Sequence, residues 1–562
     1  MQFIKSFCLT LIFLSPFLIS AQTTFIPMGM KDYTLIERLE VKSQRPELNF
    51  SHIKPLNRRM FTQQVEQIDS LIKKDADFAE RFSKVDQYNI DRFLTNNAEW
   101  SSHSKWKQPQ NIFHHFFSTK SNFIEVHNKE VYFQLSPLMT LEYGKEDGYN
   151  KMVYHSSRGI SVRARLADKI GFDLYFTDNQ ERAPRYVQSW VGKHLAIPGA
   201  GYFKPLGVVE GYDYTEVRGS VNWKVTKMID MQFGYDRNFI GNGLRSTFLS
   251  DFSNPGLFFK INTKFWKLNY ENLFMELTAT NPYIPHGGKL MPKKYFRMNH
   301  ISLNVFKWLN MGIFDAVMFG RADHFDFMYL NPILFLMPGQ QQLGSPDNNM
   351  LGVDFKANLA KKIQLYGQLN FDEFYTKELF SSKKAWTSKY AYQLGLKYID
   401  VLGIKNVDLQ LESNRVRPFT YSHLDSVSSW THYNQPLAHP LGSNFQEYIA
   451  VIKAQPLKRL YLNAKVMYYK QGLDSAGLNM GSNPLNLYTT RPRDNNWIVG
   501  SGNEATCLQI MLNASYEFAE NFFFDVTFNR RSYKTQLTGV TPDATVISTA
   551  LRWNMAKRSF MF

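Results

Sequence analysis

The stretch Ile160–Leu166 reads ISVRARL, and the stretch Ile170–Phe176 reads IGFDLYF. In both, apolar residues alternate with small, polar or charged ones. Because successive side chains of a β-strand point to opposite faces, each stretch predicts a strand with one apolar and one polar face. The connection between them, near residues 167–168, is short enough for a tight turn between antiparallel neighbours.

The same alternation recurs along the last four-fifths of the chain and predicts eighteen strands in all. They lie near residues 131–144, 157–166, 169–180, 213–225, 228–237, 256–265, 267–280, 297–307, 309–322, 350–360, 362–374, 386–399, 404–414, 445–456, 459–472, 504–517, 520–534 and 542–555.

The connections between these segments are short and long in turn. The short ones lie near residues 167–168, 226–227, 266, 308, 361, 400–403, 457–458 and 518–519. The long ones lie near residues 145–156, 181–212, 238–255, 281–296, 323–349, 375–385, 415–444, 473–503 and 535–541. Short periplasmic turns, longer extracellular loops and an even strand number are typical of bacterial outer-membrane barrels. The sequence therefore predicts an all-β fold, a transmembrane antiparallel β-barrel of about 18 strands with both termini in the periplasm. The terminal Phe562 fits an outer-membrane assembly signal.

The first 21 residues have the features of a signal peptide. Lys5 gives a charged start, Cys8–Ile19 is apolar, and Ser20-Ala21 supplies small residues for cleavage just before Gln22. No other segment approaches the roughly 18 apolar residues of a spanning helix. A secreted chain whose strands close on one another can still be integral to a membrane. We therefore expect a location in the bacterial outer membrane after cleavage near Ala21.

Residues 22–125 differ from the rest of the chain and predict helices. Phe61, Val65, Ile68, Leu71 and Ile72 fall at helical spacing within residues 59–76. One or two shorter helices and an irregular linker over residues 100–117 follow. The region is either a plug that occludes the barrel or a periplasmic cap. The predicted organisation is thus a signal peptide (1–21), an N-terminal helical region (22–125) and an outer-membrane barrel (126–562).

The composition agrees with this organisation. Hydrophobic residues make up 44% of the chain although its mean hydropathy is −0.34, as expected when one face of each strand is apolar. Aromatic residues reach 15%, which suits interfacial girdles. After signal removal only Cys507 remains, which excludes an intramolecular disulfide and a cysteine-based metal cluster. The net charge of +16 favours anionic partners, namely lipid or lipopolysaccharide head groups and acidic polysaccharide, while the signal peptide argues against nucleic acid.

The sequence contains no recognisable catalytic or nucleotide-binding motif, and we expect no catalytic residue, cofactor or metal site. Gly241-Asn242-Gly243 lacks the third glycine of a nucleotide fingerprint and is interpreted as a flexible turn in a surface loop. His114-His115 does not have metal-ligand spacing. Asp372-Glu373 falls at a strand end, where a solvated loop mouth is expected. Composition by itself does not exclude a hydrolase of the Ser/His or Asp/His type.

Polar residues on the inner faces form three sets: Arg163 with Arg165; Tyr214, Glu216, Arg218, Ser220 and Asn222; and Asp408, Gln410 and Glu412. They are expected to pair with one another in the lumen, or else to line a solute pathway. The long loops combine tryptophans with arginines and amides, which suit stacking on sugar rings and pairing with uronate carboxylates. The candidate polysaccharide-binding residues are Trp190, Arg237, Asn242, Arg245, Trp430, Arg491, Arg493 and Trp497. Arg245, Arg417, Arg491 and Arg493 are expected in extracellular loops, although exposed aromatic loops suit protein contacts equally well.

Two loops carry a family resemblance. Residues 236–246 read DRNFIGNGLRS and continue to LSD at 249–251; residues 329–332 read YLNP, followed by GSPDN at 344–348 and LGVD at 351–354. Both blocks resemble those of the capsule-assembly Wzi family. The chain also resembles the RemB-type gliding-motility proteins of gliding Bacteroidetes, from the same superfamily. The glycine and Asn-Pro blocks are as compatible with an architectural role as with binding, and the apolar run Ile333–Met337 suggests a segment folded into the lumen.

This resemblance implies an eighteen-stranded outer-membrane barrel that an N-terminal helical bundle obstructs on its periplasmic side. It further implies a lectin that attaches acidic capsular polysaccharide to the cell surface. The leading hypothesis is a non-enzymatic barrel that binds surface polysaccharide for capsule or exopolysaccharide attachment, with a possible part in gliding motility. The alternatives are an accessory component of the gliding or surface-secretion machinery, whose loops contact proteins, and a diffusion porin.

Overall fold

A computed structural model describes residues 23–102, 117, 119–128, 130–166, 169–207, 210–279, 291–321, 324–332, 335–344, 346–372, 383–474, 477–537 and 543–562. The signal peptide, His114-His115, Glu373 and most of the predicted linker lie outside these ranges. Within them, eighteen antiparallel strands close into one barrel, in which Thr549 of the last strand lies opposite Tyr143 of the first. The predicted fold class is confirmed.

All eighteen predicted strands are present, and each observed strand end lies within four residues of its predicted position. The strands are β1 (Val131–Glu146), β2 (Val153–Leu166), β3 (Ile170–Arg182), β4 (Gly211–Lys224), β5 (Ile229–Asp236), β6 (Gly256–Phe265), β7 (Leu268–Thr278), β8 (Lys293–Phe306), β9 (Leu309–Phe319), β10 (Asn348–Leu359), β11 (Ile363–Asp372), β12 (Tyr390–Tyr398), β13 (Val407–Val416), β14 (Phe445–Leu457), β15 (Leu460–Leu473), β16 (Asn503–Ala519), β17 (Phe522–Thr535) and β18 (Ala544–Trp553). The short connections meet at one end of the barrel, here the turn end, and the long ones meet at the other, the loop end.

The outer surface of the wall is apolar. Its exposed side chains include Ile160, Phe176, Val217, Phe233, Met311, Leu394, Ile452, Val466, Leu508, Val526 and Ile547. Exposed aromatic rings flank this belt, with Trp266, Phe306 and Trp308 at the turn end and Tyr143, Tyr235 and Tyr468 towards the loop end. An apolar band between two aromatic girdles is typical of a barrel that sits in a bilayer. In the described ranges, no helix has the length and apolarity required to cross a membrane.

In the described part of the N-terminal region, four α-helices fill the turn end: α1 (Lys31–Ser43), α2 (Arg58–Lys74), α3 (Ala76–Ala79) and α4 (Lys84–Asn96). The helices predicted between residues 59 and 97 are present. Asn57 caps α2, and a Ser83–Asp86 capping box starts α4. Helix α1 was not predicted. Their apolar sides share one core, which contains Ile36, Leu39, Phe61, Val65, Ile68, Ile90 and Phe93.

The N-terminal helices contact inward-facing residues of the wall, so the region is a plug and not a detached cap. Glu37 pairs with Lys397 of β12 at 2.7 Å, and Glu40 pairs with Lys356 of β10 at 2.8 Å. At the opposite side of the lumen, Arg92 pairs with Glu517 at 2.5 Å.

Two long loops fold back into the lumen: the β5–β6 loop (residues 237–255) and the β13–β14 loop (residues 417–444). Their side chains form one buried core with inward-facing wall residues; it includes Phe248, Leu249, Tyr421, Trp430, Leu437, Phe258, Leu273, Phe296, Phe314 and Met350. The prediction that Gly241-Asn242-Gly243 is a flexible surface turn is wrong, because all three residues are buried. The first part of this loop reaches the plug, where Phe239 and Ile240 pair with Lys54 and Ile53.

The β9–β10 loop lies against the outside of the wall. Val317 and Phe319 share the outward face of β9 with the exposed Met311 and Ile313, yet both are fully buried, packed against Leu336 and Tyr329 of this loop. Leu336 begins the short helix α6 (Leu336–Gln342), while α5 (Arg185–His194) belongs to the β3–β4 loop. The suggestion that Ile333–Met337 enters the lumen is thus wrong for its described part, residues 335–337.

The last nine residues turn back from the end of β18 into the lumen. Arg558 pairs with Glu181 of β3 at 2.8 Å, and the carbonyl oxygen of Phe560 accepts a hydrogen bond from Tyr186 of α5 at 2.8 Å. Phe562 is buried against Trp190 and Phe252. The chain terminus therefore does not end the final strand, and the aromatic residue that does is Trp553.

Candidate functional site

The lumen contains a cavity of about 440 Å³ between the C-terminal tail, the plug, the β5–β6 loop and the wall. Two of the candidate binding residues, Arg237 and Arg245, line it together with Lys465, Arg558 and Glu216. Arg245 was expected in an extracellular loop and Arg237 at the end of a strand, and the inward fold of the β5–β6 loop brings both here.

Most of the cavity's arginines already have carboxylate partners. Arg237 binds Glu216 at 2.6 Å, and Arg245 binds Glu447 at 3.1 Å and the carbonyl oxygen of Met561 at 2.5 Å. Lys465 differs, since it has no hydrogen-bond or ion-pair partner in the described part of the chain. In the tail, burial lowers the pKa of Lys557 to about 8. The cavity is therefore mostly neutralised by internal ion pairs, which favours a structural role for Arg237 and Arg245.

A second site lies on the surface at the loop end, where the β11–β12 and β15–β16 loops bring together Trp386, Tyr488, Arg491, Arg493 and Trp497; we name it the loop-end patch. The guanidinium of Arg491 lies 4.0 Å from the ring centroid of Trp386, whose ring lies 4.7 Å from that of Tyr488. The guanidinium of Arg493 lies 4.8 Å from the ring centroid of Trp497.

The patch offers ring surface and positive charge together. Trp386 and Tyr488 are half-buried, and Arg493 is exposed. Arg491 forms an ion pair with Asp494 at 2.7 Å, whereas Arg493 has no carboxylate within ion-pair distance among the described residues. Half-exposed aromatic faces stack on the apolar faces of sugar rings, and a guanidinium pairs with a carboxylate in bidentate geometry. The patch can therefore bind an acidic sugar.

Among the other candidate residues, Trp430, Trp497 and Asn242 are buried and offer no free surface, while Trp190 is half-buried. Trp430 is fully buried and donates its indole N–H to the carbonyl oxygen of Phe248 at 2.9 Å. Trp497 is also fully buried, so it supports Arg493 without presenting a ring to solvent. Asn242 is buried, and Trp190 stacks on His194 with ring centroids 4.2 Å apart. The expectation that these loop tryptophans are exposed is wrong for Trp430 and Trp497.

Sequence reasoning missed Trp386 and Tyr488. Trp386 falls within the segment predicted as the start of a strand, which in fact begins only at Tyr390. Tyr488 lies in a loop that contains several aromatic and polar residues of equal promise. A sequence signal was present in the density of Arg, Trp and Asn over residues 491–497, but nothing in it indicated which other loop would pack beside it.

The three sets of inward-facing polar residues pair with the plug and the inward loops more often than they pair among themselves. Arg163 pairs with Glu99 of the N-terminal region at 3.0 Å, and Asp408 binds Arg38 of α1. Glu412 accepts the backbone N–H groups of Leu244 and Arg245 at 2.8 and 3.1 Å. Within the second set, Glu216 and Arg218 do pair, at 3.0 Å.

The two motif blocks hold loops in place. A Cβ at Gly243 would lie 2.5 Å from Glu412 Oε2 and 2.8 Å from the Gln393 amide, so a larger residue would displace the wall side chains that this loop packs against. In the second block, Tyr329 donates its hydroxyl to Asp347 at 2.7 Å, and Arg321 pairs with the same carboxylate at 2.7 Å. Both observations support an architectural role.

No protein-family model and no curated protein matches the sequence. The fold is similar to that of Wzi from Escherichia coli, an outer-membrane protein involved in group 1 capsule assembly and described as a carbohydrate-binding β-barrel. The TM-score is 0.55 at 12% identity, and the match covers 95% of this chain and 100% of Wzi. The likeness shows a shared barrel fold.

Porins of the OprD type give lower scores. OprD of Pseudomonas aeruginosa has a TM-score of 0.41 at 12% identity, covering 75% of this chain and 94% of its own. OccAB1 of Acinetobacter baumannii also has a TM-score of 0.41, at 10% identity, covering 75% of this chain and 96% of its own. These scores fall below the level at which a common fold is inferred.

Proposed function

We propose that this protein is a non-enzymatic barrel of the bacterial outer membrane that binds acidic surface polysaccharide at the loop-end patch. The observation that carries the proposal is the patch itself: partly exposed rings of Trp386 and Tyr488 beside Arg491 and Arg493. The description of the similarly folded Wzi as a carbohydrate-binding barrel supports it.

The membrane location is inferred from the apolar belt and its flanking aromatic rings. We place the turn end in the periplasm and the loop end outside the cell, because short periplasmic and long extracellular connections are the rule for these barrels. The patch then faces the cell surface, where capsular or exopolysaccharide is retained.

The filled lumen favours a binding protein over a diffusion porin. The plug occupies the turn end, and the inward loops form an apolar core across the lumen towards the loop end. A diffusion channel requires a continuous water-filled path. Packed apolar side chains leave no such path through that core.

One further observation favours the second candidate, an accessory component of the gliding or surface-secretion machinery. The β9–β10 loop exposes Phe327 and Phe335, 84% and 55% accessible, on the outside of the wall. Exposed apolar patches of this kind mark contacts with proteins or lipid. Affinity purification of the intact protein from detergent extracts distinguishes the candidates: stoichiometric recovery of a machinery component without glycan affinity supports the second.

A glycan array with the purified full-length protein tests the first proposal. We expect retention of uronate-containing glycans, weaker retention at high salt, and at least about a tenfold loss of affinity in the R491Q/R493Q double variant, since each charge-assisted contact contributes about 1.5–3 kcal/mol.

The matched control is the K193Q/K204Q double variant, which removes the same charge from exposed lysines of the β3–β4 loop. If both double variants lose the same glycan affinity, the effect comes from net charge alone and not from the patch. Unchanged binding in R491Q/R493Q would remove the site from the patch, and the absence of any glycan binding, together with normal polysaccharide retention by cells lacking the gene, would refute the proposal.

A further inference from the structure

Three buried side chains from distant parts of the chain meet at the junction between the plug and the wall. His52 belongs to the plug, His300 to β8 and Asp354 to β10. One potential ligand atom from each lies within 4.8 Å of the other two. None of them takes part in the loop-end patch or lines the lumenal cavity.

The orientation of His52 is set by a backbone hydrogen bond. Its Nδ1 lies 3.0 Å from the carbonyl oxygen of Asn49, and a carbonyl only accepts, so Nδ1 carries the proton. The lone pair is then on Nε2. This atom is buried and has no hydrogen-bond partner in the described ranges. A histidine held by a carbonyl at one nitrogen with the other left free has the arrangement of a metal ligand.

His300 and Asp354 complete the cluster from the wall. His300 Nε2 lies 2.6 Å from Asp354 Oδ2, and the rings of His52 and His300 meet edge to face with centroids 5.2 Å apart. Gly312 of β9 makes room for the pair, because a Cβ there would lie 2.5 Å from Asp354 Oδ2 and 2.8 Å from His300 Nε2. The nearby cation Lys356 is neutralised by Glu40 at 2.8 Å.

We propose that His52, His300 and Asp354 bind a divalent transition-metal ion of the zinc class. Two imidazole nitrogens and one carboxylate suit Zn²⁺, whereas Ca²⁺ and Mg²⁺ prefer all-oxygen sites. Zinc bonds of about 2.0–2.1 Å in a tetrahedral site place ligand atoms about 3.3 Å apart. The cluster reaches this spacing when the His300–Asp354 hydrogen bond opens and the ion takes its place; water supplies the fourth ligand.

Because the ligands come from both the plug and the wall, the ion fastens the plug inside the barrel. The site exists only when the plug is docked, so zinc binding stabilises the docked state by mass action. Chelation would therefore loosen the plug at this junction. This role is independent of polysaccharide binding at the loop end.

The test uses the full-length protein, stripped with chelator, reloaded with ZnCl₂ and freed of excess metal by gel filtration. Elemental analysis should find one zinc per chain. His52→Gln and Asp354→Asn should each lower zinc affinity by at least about tenfold. Heat-modifiable electrophoretic mobility establishes that each variant has a folded barrel.

The matched control is His439→Gln. His439 is buried and bound to Glu447 at 2.7 Å, like His300 to Asp354, but no third ligand accompanies it in the described part of the chain. This variant should keep its zinc. With Co²⁺ as the probe, the intense visible absorption of a four-coordinate site should appear in the wild type and in His439→Gln only.

A folded wild type that retains no zinc after loading overturns the proposal. So does equal retention in His52→Gln, Asp354→Asn and the wild type, which would place the ion elsewhere. The two proposals can fail independently. A protein that binds glycans but no zinc would overturn only the zinc site, and a protein that binds zinc but no glycans would overturn only the loop-end patch.

Discussion

Arg38 shows how single side chains join the plug to the wall. Its guanidinium binds Asp86 of α4 at 2.8 Å, Asp400 at 2.9 Å, and Asp408 of β13. We expect Arg38→Met to cost about 3–5 kcal/mol of unfolding free energy, because it leaves buried carboxylates without their cation. Denaturant titration of the detergent-solubilised protein measures this cost. The control Lys151→Met removes an exposed pair with Glu210 between two loops and should cost under about 1 kcal/mol; equal costs would contradict the prediction.

The carboxylates of this junction make plug docking sensitive to acid. Burial raises the pKa of Asp86 and of Glu37, but the cations beside them outweigh burial and hold both values below the usual range. A lowered carboxyl pKa gives stability that is complete above the unfolded-state value, about 4, and is lost as the pH falls further. The transition temperature for plug release, followed by calorimetry, should be level between about pH 7 and 5 and fall below about pH 4. In Arg38→Met, the transition temperature should depend less on pH, because Asp86 has lost one of its cations. A transition temperature that stays level down to strongly acid pH in the wild type would refute the role of these carboxylates.

At the scale of elements, the C-terminal tail supports the lumen without closing the barrel. The pairing of β18 with β1 runs from Val546 to Trp553, so it is complete before the tail begins. A chain that ends at Asn554 should still insert and show heat-modifiable mobility, but with a lower unfolding temperature. Failure of this chain to assemble would show that the terminal Phe562 acts as the assembly signal after all.

Within the tail, the contribution of a single side chain, Phe562, to the free energy of unfolding can be measured. Its ring contacts Tyr186, Trp190 and Phe252. Phe562→Ala should cost about 3–5 kcal/mol of unfolding free energy if the aromatic cluster does not collapse. Leu402→Ala, at an 82% exposed turn residue, is the control and should have little effect. Denaturant midpoints of the two variants, compared with the wild type, decide the matter.

For the whole molecule, conductance in planar bilayers tests how the lumen is filled. The intact protein should form no stable open channel. Deletion of residues 23–102 alone should not open a large one either, because the core around Phe248, Phe314 and Trp430 remains. Removal of the β13–β14 loop in addition should raise the conductance sharply. A large ohmic channel in the intact protein would return the porin hypothesis to first place.

Much of this architecture could be predicted from sequence because its signals are local. Alternation such as ISVRARL at Ile160–Leu166 reports directly which side chains face the apolar belt, and turn length reports which end of the barrel a connection occupies. The helical spacing of Phe61, Val65 and Ile68 likewise predicted α2. Helix α1 escaped prediction because it is lined with charged residues such as Arg38 and Lys42, which are buried through ion pairs with Asp86 of α4 and Asp400 beside the wall.

Tertiary structure alone decided where the loops and the tail go. Nothing local distinguishes a loop that folds into the lumen, such as the one with Trp430, from one that faces solvent, such as the one with Arg493. The choice depends on inward-facing partners that lie over a hundred residues away, as Phe296 does from Trp430. For the same reason no local pattern indicated the His52–His300–Asp354 cluster, whose members have no common spacing. Strand periodicity is a property of neighbouring residues, whereas the plug, the inner core and the cluster exist only once eighteen strands have closed around them.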